Sequence, residues 1–143
     1  MKKTIFALST PESVSAIAVI RISGPDTLNA LSLLCRCNVT SFKKKRTLTL
    51  KKIYSSENSL LDEALVVSFE ENKSFTNEQM AELHIHGSII VIKTVMETLS
   101  KMSFLRQAFP GEFTQRALEN NKLNLTQVEG LSDLLQAETE YQQ

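Results

Sequence analysis

Residues 16–25 read AIAVIRISGP, a near-continuous Ile/Val/Ala run from Ala16 to Ile22 broken by one cation, Arg21, and followed by Ser23, Gly24 and Pro25. Runs of this kind occur in strands buried on both faces. The Ser-Gly-Pro that follows reads as a helix start, because proline in the first turn lacks only an N–H that would find no partner there. Leu28, Leu31 and Leu34 recur at helical spacing, so the stretch predicts a strand feeding a helix. Upstream, Ile5 to Leu8 predicts a short strand. Downstream, Leu48 with Leu50 and then Ala64 to Phe69 predict two more, joined through the polar stretch Ser55 to Ser59. Met80 to His86 alternates as a further strand, and from Ser88 the positions Ile92, Val95, Met96, Leu99 and Met102 line one face of a helix. Strands and helices intermix along the chain without an internal repeat.

The last part of the chain is punctuated more sharply. Pro110-Gly111 breaks the chain before a short helix carrying Phe113, Ala117 and Leu118, which Asn120-Asn121 can end. Thr126 with Glu129 forms a capping box, and Val128, Leu131, Leu134, Leu135 and Tyr141 make an apolar stripe behind it. No Gly, Pro or Asn follows Gly130 before Gln143, so that helix is expected to continue in a longer protein.

Composition narrows the class. At 143 residues with 42% hydrophobic and 22% charged side chains, the chain is neither disordered nor fibrous, and a chain of this length buries roughly 68% of its unfolded surface. Sixteen Lys+Arg balance sixteen Asp+Glu, so no global field favours nucleic acid or membrane. Cys35 and Cys37 are too few and too close in sequence for a disulfide framework and point to a reducing compartment. Met1-Lys2-Lys3-Thr4 imitates the start of a secretory signal, but the apolar run stops at Ser9-Thr10-Pro11-Glu12, short of the ~7–15 residues an exported segment needs. A cytoplasmic protein with no membrane partner is the expectation.

The glycines, Gly24, Gly87, Gly111 and Gly130, are never paired at P-loop spacing, and no Gly-x-Ser-x-Gly elbow or zinc-type cysteine pair occurs. This chain alone is therefore expected to hydrolyse no GTP. The polar residues set among apolar ones are Arg21, Glu82, His84 and His86. On a strand, Glu82, His84 and His86 project from one face. Three readings compete for them: a metal-dependent enzyme with a carboxylate and two imidazoles as ligands; a carboxylate pairing with a heterocycle that presents an amino group beside a ring N–H; or histidines that satisfy backbone groups near Gly87. Arg21 needs an anion or acceptors, in a structural salt bridge or in a ligand. Lys122 stands where a helix ends, a position at which a cation can simply complement the helix dipole. Lys43, Lys44, Lys45 and Arg46 form the densest positive run, either a solvated loop or an RNA-contact module.

Five segments together resemble one family. AIAVIRISGP (16–25), SFTNEQMAELHIHG (74–87) and PGEFTQRALENNKLNLTQ (110–127) closely resemble the N-terminal region of the bacterial tRNA-modification GTPases called MnmE or TrmE. The opening TIFALSTP (4–11) and the ending VEGLSDLLQAETE (128–140) fit as well. The resemblance implies an α+β domain over residues 1–122, a mixed sheet with packed helices similar to the folate-binding domain of the glycine-cleavage T protein, and the start of a helical domain over 123–143. The first of these would bind 5-formyltetrahydrofolate or a related tetrahydrofolate and form a homodimer. The family's folate-contacting positions fall on Arg21, Glu82 and Lys122. It further implies a parent that hydrolyses GTP with magnesium and potassium ions in a domain beyond residue 143. With an MnmG-type flavoprotein, that parent modifies C5 of the wobble uridine of certain tRNAs, the folate donating the one-carbon unit. Relatives often carry glycine in the loop 11–15 and where Asn77, Ser88 and Asn121 stand here; asparagine is the non-glycine residue that best tolerates left-handed backbone.

Overall fold

In a computed structural model, which describes residues 3–9, 16–42 and 44–120, the strands that carry Arg21 and Glu82 lie side by side as antiparallel neighbours. They are β2 (Ile17–Ser23) and β5 (Met80–His86), in a register that sets Arg21 opposite Glu82 and Val19 opposite His84. Around this pair β1 (Thr4–Leu8), β3 (Thr49–Tyr54), β4 (Leu60–Phe69) and β6 (Leu105–Gln107) complete a six-stranded sheet in the order β3-β4-β5-β2-β1-β6. Every neighbouring pair is antiparallel except β1 with β6, which is parallel, so the sheet is mixed. With three α-helices, α1 (Thr27–Cys35), α2 (Ile89–Ser100) and α3 (Glu112–Glu119), the fold is α+β. No helix among the described residues is long and apolar enough to cross a membrane.

Strand alternation decides which side is core. Ile20 and Ile22 of β2, Leu83 and Ile85 of β5, and Ala64 and Val66 of β4 share one face and pack with Leu31 and Leu34 of α1 and Val95 and Leu99 of α2. Burying such side chains contributes about 1.5–3 kcal/mol each. The run Ala16–Ile22 is not buried on both faces, as its composition predicted: Ile17 is 54% exposed. The reason is that α1 and α2 cover one side of the sheet, so alternate residues of β2 point away from them.

Helix α1 begins at Thr27, after a turn that only Gly24 can make here. Gly24 has φ +138°, and a Cβ on it would stand 2.6 Å from the Thr4 Cα. Thr27 Oγ1 donates to the Gly24 carbonyl at 2.8 Å, and the Asp26 amide donates to Thr4 Oγ1 at 2.8 Å, locking the turn against β1. Helix α2 starts as expected behind Ser88, whose hydroxyl accepts from the Val91 amide. Helix α3 follows Pro110-Gly111 and closes at Asn120, also as the punctuation predicted. Strand β6, three residues long, has no sequence signal of its own. The expected helix after Thr126, and with it the division at residue 123, falls outside the described residues.

Candidate functional site

The sheet face turned away from α1 and α2 changes character along the strands. At one end Ile5, Ser23 and Met80 are buried. There the loop 74–79 closes over the face, Ser23 Oγ lying 2.7 Å from Thr76 Oγ1 and donating to Glu78 Oε1 at 2.8 Å. At the other end Ile17, Leu50 and Leu65 are exposed. The row of Arg21 and Glu82 runs along the step between the covered and the bare half.

Arg21 and Glu82 meet across β2 and β5. Arg21 Nε donates to Glu82 Oε2 at 2.9 Å, and the side chains are 38% and 21% exposed, so the pair is neither solvated freely nor sealed. The acceptors that a cation in this strand requires are thus supplied by the neighbouring strand, as the register dictates. His84, two residues on along β5, places Nε2 3.3 Å from Glu82 Oε1. Among the described residues each carboxylate oxygen therefore has one side-chain donor, and each keeps a second lone-pair direction. On Arg21, Nε is the nitrogen engaged, leaving the two terminal amino groups of the fork without a protein partner among the described residues.

Beside this row stands an ion network that sequence patterning does not reveal. Arg116 on α3 donates through Nη1 to Glu78 Oε1 at 3.1 Å and through Nη2 to the Lys3 carbonyl at 2.6 Å. Glu112, at the start of α3, takes a bidentate pair from Arg106, with Nη1 to Oε1 at 2.8 Å, and also accepts from the Phe109 amide at 2.9 Å. Burial alone would push the Glu112 carboxyl up, but the hydrogen bonds from Arg106 and Phe109 and the charges of Arg106 and Arg116 outweigh it and hold it below the usual carboxylate range. The far end of α3 is fixed reciprocally: Asn77 Nδ2 donates to the Asn120 carbonyl at 3.0 Å and Asn120 Nδ2 to the Thr76 carbonyl at 2.9 Å. Asn77 has φ +61°, the left-handed geometry that asparagine tolerates. The signal that was available is the set of charged residues on a helix as short as α3, whose buried positions include Glu112 and Arg116.

The other sequence candidates separate. Glu82, His84 and His86 do share a face, but His86 turns to β4, where its Nδ1 lies 2.7 Å from Asp62 Oδ1 and its amide donates to Asp62 Oδ2 at 2.8 Å. Glu82 and His86 are four residues apart on an extended strand, roughly 13 Å, and Glu82 is already paired with a cation. Among the described residues no group of three or more His, Cys, Asp or Glu is arranged to hold a metal ion, so the metal-enzyme reading is corrected. In the positive run Lys43 lies outside the described residues, and Arg46 pairs with Glu70 at 3.5 Å. Cys35 and Cys37 are free thiols; burial, with the neighbouring Cys37, pushes Cys35 up to about 12, the opposite of a reactive cysteine. Lys122 lies outside the described residues, as do Asn121 and the loop 11–15.

The profile described as GTP-binding protein TrmE N-terminus matches residues 4–122. The chain belongs to the TrmE N-terminal family. Among curated relatives, the tRNA modification GTPase MnmE of Ruegeria sp. (strain TM1040) is 46% identical over 140 residues, covering 98% of this chain and 32% of the relative. The protein of the same name from Wolbachia pipientis subsp. Culex pipiens (strain wPip) is 46% identical over 140 residues, 98% of this chain and 30% of its own. That of Pelagibacter ubique (strain HTCC1062) is 44% identical over 140 residues, 97% and 31%. The chain thus spans about a third of the length of the curated relatives it matches. The span matched by the TrmE N-terminal profile holds Arg21 and Glu82 on the central strands and ends on Lys122.

Proposed function

We propose that this chain is a tetrahydrofolate-binding, self-associating region of a tRNA-modification GTPase, with 5-formyltetrahydrofolate or a close relative as ligand and Arg21, Glu82 and Lys122 as its contacts. The observation that carries the reading is the Glu82 carboxylate, held by Arg21 and His84 at the step of the sheet face with a lone pair free on each oxygen. A pterin presents an amino group beside a ring N–H, a planar donor pair that fits those two oxygens. The terminal amino groups of Arg21 suit an acceptor of the same ligand, the formyl oxygen or a tail carboxylate.

Lys122 enters this reading through the family resemblance, as its third folate-contacting position. Similarity to the folate-binding domain of the glycine-cleavage T protein is part of the same reading.

The bare half of the face, with Ile17, Leu50 and Leu65 exposed, favours a second copy of the chain as its cover. The relatives' name, tRNA modification GTPase MnmE, supports a parent that hydrolyses GTP; in this reading it does so with magnesium and potassium ions in a domain outside this chain. In this reading the parent acts in the cytoplasm with an MnmG-type flavoprotein on C5 of the wobble uridine of tRNA, the folate supplying the carbon. Calorimetry with 5-formyltetrahydrofolate tests the site: binding by the unaltered chain and its loss in Glu82→Ala and Arg21→Ala is the expected result. Equal binding by all three rejects the assignment.

A further inference from the structure

We infer that His84 is a positioning residue for the folate site proposed above: it fixes the rotation of the Glu82 carboxylate that meets the ligand. The inference rests on that folate reading. Its basis is that Glu82 is held at both oxygens, by Arg21 Nε at 2.9 Å on Oε2 and by His84 Nε2 at 3.3 Å on Oε1. A carboxylate held at one oxygen swings about its terminal torsion, which is broad and roughly two-fold. Held at both, its two free lone pairs stay aimed at one place, which a flat two-donor ligand edge requires.

The setting of His84 restricts the imidazole as well. Val19 of β2 and Leu65 of β4 are its cross-strand partners, so apolar side chains flank it about 4.5–5.5 Å away on either side. The charged groups that face it among the described residues are Glu82 on its own strand and, through that carboxylate, Arg21 on β2. His86, further along β5, is taken by Asp62 of β4. Among the described residues no other group is placed against Nε2, and a carboxylate oxygen accepts, so the contact requires the hydrogen on Nε2.

Glutamine at this position can donate from its side-chain amide, and so can supply the same hydrogen bond to Glu82 in place of the imidazole.

The test is calorimetry with 5-formyltetrahydrofolate at pH 8 on the full chain and on His84→Gln, His84→Ala and Glu82→Ala. His84→Gln is expected to bind within about twofold of the unaltered chain and His84→Ala about fivefold more weakly. His84→Gln binding as weakly as His84→Ala, or His84→Ala binding at unaltered strength, overturns the inference while a loss in Glu82→Ala leaves the ligand assignment standing. Equal binding by Glu82→Ala overturns the ligand assignment itself. A ligand-free measurement decides the geometry separately: imidazole 15N shifts at pH 8 should report His84 protonated on Nε2, and a bare Nε2 would sink the positioning role.

Discussion

Arg116 of α3 reaches Glu78, 38 residues earlier in sequence, with Nη1 to Oε1 at 3.1 Å, and its side chain is only 4% exposed. The contact makes a helix outside the main core into the wall beside the Arg21–Glu82 row, because Glu78 also accepts from Ser23 on β2. Replacing Arg116 by Met leaves the carboxylates of Glu78 and Glu112 buried with fewer donors. Removing one partner of a buried pair costs about 3–5 kcal/mol, so urea unfolding followed by circular dichroism should show a loss of that order. Arg116→Lys should recover part of it, since lysine keeps the charge but not the planar fork.

Acid should loosen the same wall. The Glu112 carboxyl is held below its ordinary range, so its contribution to stability is fully present above the unfolded value, about pH 4.3, and is lost as pH falls through the lower folded value. Unfolding free energy measured from pH 6 down to pH 3 should therefore decline, and Glu112→Gln should flatten that decline while lowering stability at pH 6. An unchanged slope in the variant would place the acid sensitivity elsewhere.

Gly24→Ala tests the turn that launches α1. The new methyl group would press on Thr4, at 2.6 Å from its Cα, in a backbone conformation with φ +138°. Strain of this kind costs about 1–3 kcal/mol, and overpacking adds about 1–3 more. A midpoint in urea unchanged from the parent chain would mean that β1 shifts freely, against the bonds tying Thr4 to Asp26.

Self-association should depend on the bare sheet face. Leu50 and Leu65 lie opposite each other in the β3–β4 register and are both exposed. Sedimentation of the unaltered chain over a range of concentrations is expected to reach a dimer and stop, as a closed two-fold assembly does. Leu65→Asp should raise the dimer dissociation constant at least about tenfold, the effect of placing an unpaired charge in an apolar contact. A dimer insensitive to this change would use another surface.

How much of this was legible in the sequence depended on whether the signal was local. Residues 80–86 and 17–22 carry alternation or a β-branched run, and both are strands; Gly, Pro, Ser and Asn at the ends of α2 and α3 fix those helices from within a few residues. Which side of β2 would be covered was not legible, because it depends on where α1 and α2 come to rest. Strand β6 was missed since three residues carry no periodicity, and they pair only because β1 offers a free edge. For the site, the family resemblance named Arg21 and Glu82, and the register brings them together. His84 stood out by its period-two spacing from Glu82, but its role depends on the carboxylate beside it. Arg116 and Glu112 look like ordinary surface charges on a helix until the fold places Glu78 and Arg106 against them.

The parallel pairing of β1 with β6 bears on how the polypeptide is made. Strand β1, synthesised well ahead of β6, pairs along one edge with residues 105–107, and the Lys3 carbonyl just before it accepts a bond from Arg116. At roughly 5–20 residues per second, some 5–20 seconds separate synthesis of these partners. During that interval β1 can join β2, but its outer edge stays unpaired. A chaperone or a neighbouring nascent chain would meet that edge first, and stalled translation before residue 116 should yield a product unusually prone to strand-mediated aggregation.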